Sequence, residues 1–154
     1  MFAGLPEGWS SADWNQDGYT DQCVYLFPKT NKERNEICLK TMSALPNQAD
    51  LRREAYAARW DKAEFEAWVD GTAGYLSYPA KIAKGKGTSI TKEGDREGYA
   101  VWVQVPGKKN VLVLGSWPLS NPAVKPLFLD IVKGLGTCTF KPQKGCVPDK
   151  PYDG

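Results

Sequence analysis

The feature that most constrains the fold is a pair of β-type segments separated by a single turn. Residues 99–105 (Tyr-Ala-Val-Trp-Val-Gln-Val) and 111–117 (Val-Leu-Val-Leu-Gly-Ser-Trp) are rich in β-branched and aromatic side chains. Such residues fit a pleated, packed surface. Pro106-Gly107-Lys108-Lys109-Asn110 between them is turn chemistry, with proline and glycine supplying the dihedral angles that a chain reversal needs. The succession predicts an antiparallel hairpin. Its second strand is the most apolar segment of the chain and is expected near the middle of a sheet.

A second hairpin is expected from 23–27 and 37–42, on either side of the polar segment 28–36. Side chains alternate along a strand. Val24, Leu26, Ile37 and Leu39 are therefore expected on the core face, with Cys23 and Cys38 on the other. Asn47 has the chemistry of a helix N-cap, with an acidic first turn after it. Leu51, Ala55 and Ala58 then recur at i, i+4 and i+7, which predicts a helix ending near Trp60. Residues 63–69 alternate in polarity and read as a strand stopped by Asp70-Gly71 and Gly74. The glycine- and charge-rich stretch 81–98 predicts a short strand near 88–91 between turns. Asn121-Pro122 opens a second helix carrying Leu127, Phe128, Ile131, Val132 and Leu135. Proline is tolerated only in a first turn, so Pro126 moves the start to Lys125, and Gly134 or Gly136 ends the helix. Residues 138–154 read as a Pro- and Gly-rich tail.

This order predicts a single α+β domain over 1–154, an antiparallel sheet with helices packed on it. Two long strands, then Gly-Ser-Trp-Pro, then a helix closing on Ile-Val-Lys-Gly-Leu resemble the Mog1/PsbP-type α/β/α sandwich. The resemblance covers 45–135 and rests on the order of elements.

The strongest chemical motif is Asp13-Trp14-Asn15-Gln16-Asp17-Gly18-Tyr19-Thr20-Asp21, which runs straight into a β-type segment. Hard cations take several oxygen ligands from a tightly curled loop, and glycine at the sixth position permits the turn. Asp13, Asn15 and Asp17 would offer side-chain oxygens, Tyr19 its carbonyl, and Asp21 a direct or water-bridged carboxylate. The twelfth position is Val24, where a helix–loop–helix calcium site has Glu. The motif resembles the calcium loops of FG-GAP and VCBS-type repeats, with one copy here and no array. The resemblance implies calcium as cofactor, and the missing ligand implies weak affinity, on the order of 0.1–1 mM. A turn that uses Asp, Asn and Gly for local hydrogen bonds is the competing reading.

The chain has four cysteines and no histidine, which excludes Cys/His zinc sites. Cys23, Cys38, Cys138 and Cys146 allow three disulfide connectivities. The simplest pairs Cys23 with Cys38 and Cys138 with Cys146, the latter pinning the tail. Closing a loop of about 15 residues stabilises by roughly 3 kcal/mol on the chain-entropy model. Disulfides and a weak calcium loop point to the periplasm or the cell exterior, against four reduced thiols in a cytosolic chain. Residues 1–6 have neither the basic start nor the apolar core of a signal peptide. An exported chain is therefore expected to be a processed one, with Met1 added.

Twenty basic against 18 acidic residues give a net charge of +2, which argues against a dedicated nucleic-acid binder. No apolar run approaches the ~18 residues of a membrane span. Without histidine, Ser–His–Asp and Cys–His catalysis are excluded. A carboxylate pair, Glu64 and Glu66 framed by Asp61 and Asp70, leaves glycan hydrolysis formally open, although same-face acids are common on solvated sheets. Lys84, Lys86, Ser89, Thr91 and Lys92 are expected on a loop suited to partner contact. The expectation is an exported, non-catalytic binding protein, an immunity or inhibitor protein that occludes a toxin's active site. A secreted calcium-dependent adhesion or glycan-binding module is the alternative.

Overall fold

The computed structural model describes residues 7–14, 23–28, 37–90 and 94–150, with the backbone alone for 9–14, 23–28, 140 and 146. In chain order the elements are β1 (Trp9–Trp14), β2 (Cys23–Pro28), β3 (Ile37–Thr41), α1 (Gln48–Ala57), β4 (Trp60–Phe65), β5 (Val69–Ala73), β6 (Tyr78–Ser89), β7 (Asp95–Val103), β8 (Val111–Pro118), α2 (Val124–Lys133), β9 (Cys138–Lys141) and β10 (Gly145–Pro148). The architecture is α+β. One antiparallel sheet runs β1-β2-β3-β8-β7-β6-β4, with β5 also paired to β6. The apolar β8 lies between β3 and β7, at the centre.

Two helices sit on opposite faces of this sheet, because the central strands are apolar on both sides. Val101, Val103, Val113, Trp117 and Ile37 pack with Phe128, Ile131 and Val132 of α2. The alternate residues Ala100, Trp102, Leu112, Leu114 and Cys38 pack with Leu51 and Ala55 of α1. The α1 side is tied further by an ion pair, Lys40 Nζ to Glu54 Oε1 at 2.8 Å, between β3 and the helix. Asn47 caps α1 by accepting from the Asp50 amide at 2.8 Å, and Asp50 accepts in return from the Asn47 amide. That reciprocal arrangement satisfies amides otherwise orphaned at a helix start. In α2, Pro126 falls in the first turn and Gly134 is the C-cap.

The stretch 81–98 departs from expectation. It is not a short strand between turns: β6 is 12 residues long and pairs along most of its length with β7. Gly85 and Gly87 serve close packing rather than chain reversal. A Cβ on Gly85 would lie 2.8 Å from the Phe65 and Trp60 rings, and one on Gly87 would lie 2.3 Å from Trp60 Nε1. The two aromatics, inclined at 59° to each other, pack against β6 where it has no side chains, and a glycine count reads such a strand as loop.

Residues 63–69 are likewise not one strand. With β7 on one edge of β6, both β4 and β5 use the other edge, so 60–73 forms a single interrupted strand. The register passes through Asp61↔Thr88, Glu64↔Lys86 and Val69↔Ile82. It slips by one residue near Lys62, which has φ 51°, and again across the break at 66–68. One extra residue per slip is the signature of a β-bulge.

The expected tail is in fact a hairpin of β9 and β10, with Cys146 opposite Phe140 and Cys138 opposite Pro148. Cys138 is held in a disulfide. The hairpin meets the rest of the chain through polar contacts. Tyr75 Oη donates to the Lys150 carbonyl at 3.0 Å, and Tyr78 Oη lies 3.5 Å from Thr137 Oγ1. Hydrogen bonds from the Thr137 and Thr139 hydroxyls hold the Asp149 carboxyl below the usual carboxylate range, helped by Lys108 at 3.9 Å. A depressed carboxylate stabilises the fold above its ordinary pKa, and the contribution disappears as pH falls through the depressed value. Asp149→Asn should therefore lower the melting temperature at pH 7 and converge with the native chain at a pH low enough to protonate Asp149 in the folded state. An equal loss at both pH values would refute this role.

Candidate functional site

Helix α2 covers only part of its face of the sheet. Phe128 sits against Gly115, where a Cβ would lie 2.7 Å from the ring. Phe128 thereby seats α2 on β8, and the end of the helix reaches Ala73, Tyr78 and Ala80 at one end of β5 and β6. The other end of β6 on that face, with β4 and the start of β5, remains open. On this open area Glu64, Glu66, Val69, Lys84 and Lys86 are exposed, and Ile82, Glu97 and Tyr99 are half-buried.

Tyr99 is the centre of the area. It lies on β7 directly opposite Lys84 of β6 and Gly115 of β8. Its ring stacks on Phe128 with centroids 6.2 Å apart and a 10° interplanar angle, and meets Trp117 at 6.0 Å. Lys125 Nζ lies 5.7 Å from the ring centroid, within cation–π range. The ring is therefore held in place by intramolecular contacts alone. Glu97, opposite Lys86, accepts from Trp117 Nε1 at 3.0 Å, so its carboxylate is committed to the protein.

Lys84 and Lys86, expected on a loop, lie instead on this rigid strand, two residues apart on the same face. Ser89 ends β6 and donates its amide to the Gly94 carbonyl at 3.0 Å. Thr91 and Lys92 lie outside the described residues. Glu64 is on β4 opposite Lys86, and the Glu66 amide donates to the Lys84 carbonyl at 2.8 Å. The two acids thus flank the lysines on an open surface. Asp61 is at the far end of β4, and Asp70 pairs with Lys81 on the opposite face.

Of the calcium motif, Asp13 and Trp14 belong to β1, opposite Val24 and Cys23. Asn15, Asp17, Tyr19 and Asp21 lie outside the described residues. Cys23 is opposite Lys40, and Cys38 is opposite Tyr25. The two cysteine positions are therefore diagonal across β2 and β3. Among the described residues, no three or more Cys, Asp or Glu side chains gather into a metal-sized group. No helix among them is long and apolar enough to cross a membrane.

The expectation missed Tyr99, Lys125, Ile82 and Val69 as members of one surface. The signal was present as alternation through Ile82, Lys84 and Lys86, but it is legible only once β6 is recognised as a strand. No protein-family model matches the chain, and no curated protein matches it.

Proposed function

We propose that this chain is a non-catalytic protein-binding domain of an exported compartment, of the immunity or inhibitor type, which covers the active site of a secreted toxin. The observation that carries the reading is Tyr99, an aromatic backed by Phe128 and bordered by Lys84 and Lys125 on an open sheet face. Aromatic anchors within a polar rim are the usual energetic centre of protein interfaces. The contact is made by a sheet face, so occlusion proceeds by covering rather than by inserting a loop. Calorimetric titration of a neighbouring secreted toxin enzyme should give a 1:1 complex and loss of toxin activity. Tyr99→Ala should weaken it by roughly 30-fold, the effect of a 2 kcal/mol hot spot. Lys84→Glu with Lys86→Glu should weaken it without touching the aromatic stack. No complex, or a complex indifferent to both variants, would end the reading.

The disulfide at Cys138 supports a periplasmic or extracellular location. The segment from Asp13 to Asp21, which lies between β1 and β2 in the chain, is read as a weak calcium site. An ion bound only by the folded chain stabilises it by mass action. Asp17→Ala should therefore lower the melting temperature in millimolar calcium and change little in chelator. Equal losses in both would leave the loop as a turn. The helix on each face of an antiparallel sheet supports a Mog1/PsbP-like fold.

A further inference from the structure

The open face has a second property, independent of Tyr99. Its two outer columns, β4–β5 and β6, are matched row by row with complementary partners, acid with base and apolar with apolar. Glu64 is opposite Lys86, Glu66 is beside Lys84, and Val69 is opposite Ile82. Among the described residues, none of these four charges is in an ion pair. Val69 is 65% exposed, the most of the large apolar side chains described. Neighbouring columns are about 4.8 Å apart, and same-face rows along a strand about 6.8 Å.

From this pattern we propose that the face is self-complementary and pairs with a second copy of the chain about a two-fold axis parallel to β6. An axis midway between the two columns carries each residue onto its row partner in the other copy. Glu64 then meets Lys86, Glu66 meets Lys84, and Val69 meets Ile82, each contact occurring twice, as an isologous interface requires. The other in-plane two-fold, running across the strands, would set Glu64 against Glu66 and Lys84 against Lys86. Like-charge contact excludes it, so charge alone selects the orientation. β4 is the edge of the sheet, and Phe128 of α2 sits on Gly115 of β8, two strands inward from β6. The end of α2 covers the Ala73, Tyr78 and Ala80 end of β5 and β6, so the pairing is confined to the rows beyond it, from Val69–Ile82 to Glu64–Lys86. Tyr99, one column further in, stays outside the matched rows. The consequence, that a second copy competes with the toxin for this face, rests on the partner-binding reading; the dimer itself does not.

Sedimentation velocity over a range of protein and salt concentrations tests it. The native chain should show a species of twice the monomer mass, weakened by salt as exposed ion pairs are screened. Lys84→Glu with Lys86→Glu, and separately Glu64→Lys with Glu66→Lys, should each be monomeric. Their equimolar mixture should restore a dimer containing one of each. Val69→Glu should abolish the native dimer and Tyr99→Ala should leave it intact. A native chain that is monomeric throughout, or a mixture that fails to associate, would overturn the proposal and leave toxin binding standing. Loss of toxin binding with the dimer retained would do the reverse.

Discussion

Phe128→Ala is expected to reduce the free energy of unfolding by about 3–5 kcal/mol, the range for emptying a buried aromatic site. Phe128 is fully buried and contacts three features at once: the Tyr99 ring, the Trp117 ring at 5.8 Å, and the bare backbone of Gly115. Gly115 has no side chain to move into the void, so the cavity cannot collapse and the upper part of the range is expected. At about 2–4 °C per kcal/mol for a domain of this size, the melting temperature should fall by on the order of 10 °C. The urea midpoint should drop while the slope of the transition is unchanged, because the surface exposed on unfolding is nearly the same. Tyr99 also loses its backing, so the variant should weaken partner binding even where it is still folded. A loss below about 1 kcal/mol would mean that α2 does not cover β8 in this way.

Gly98→Ala should cost about 3 kcal/mol or more, the upper end for a methyl group forced into a packed interior. Gly98 is on β7 opposite Ser116 of β8. A Cβ there would lie 2.1 Å from the Gly115 carbonyl oxygen and 2.9 Å from Ser116 Cα. These are main-chain atoms of the central strand, and no rotamer change relieves the overlap. The neighbouring Arg96 side chain is fixed on the same strand pair, its Nε donating to Ser116 Oγ at 2.9 Å and Nη2 to the Ser116 carbonyl at 2.8 Å. Separating the strands would disturb those bonds as well. Gly85→Ala is the comparison. It meets only the Phe65 and Trp60 rings, which can tilt, and should cost less. Urea melts of both variants decide the matter, and a larger loss for Gly85→Ala would refute the close-approach account.

These two glycines mark where the sequence was legible and where it was not. Local chemistry was enough for the capped helix α1, for the β7–β8 hairpin and its turn, and for a stop at Gly134 or Gly136, of which Gly134 is the cap. In each case the determining contacts lie within a few residues of one another. It was also enough to place Leu51, Ala55 and Ala58 on one buried face. It misjudged β6, because Gly85 and Gly87 are glycines for the sake of Trp60 and Phe65, which lie 20 to 27 residues earlier in the chain. A residue chosen to make room for a distant ring carries no local signature that separates it from a turn residue. The break at 66–68 went unread for the same reason, since bulges are fixed by the register against β6.

The proposed binding face divides in the same way. The chain by itself supplied Lys84 and Lys86 as candidate contact residues, the absence of histidine that removes His-dependent catalysis, and the candidate calcium motif. Only the tertiary structure placed the lysines on a rigid strand, set Glu64 and Glu66 beside them, and brought Tyr99 and Lys125 to their flank. Alternation tells which residues of one strand share a side. Which strands become neighbours, and how far a helix covers them, is decided by long-range packing that no single segment contains.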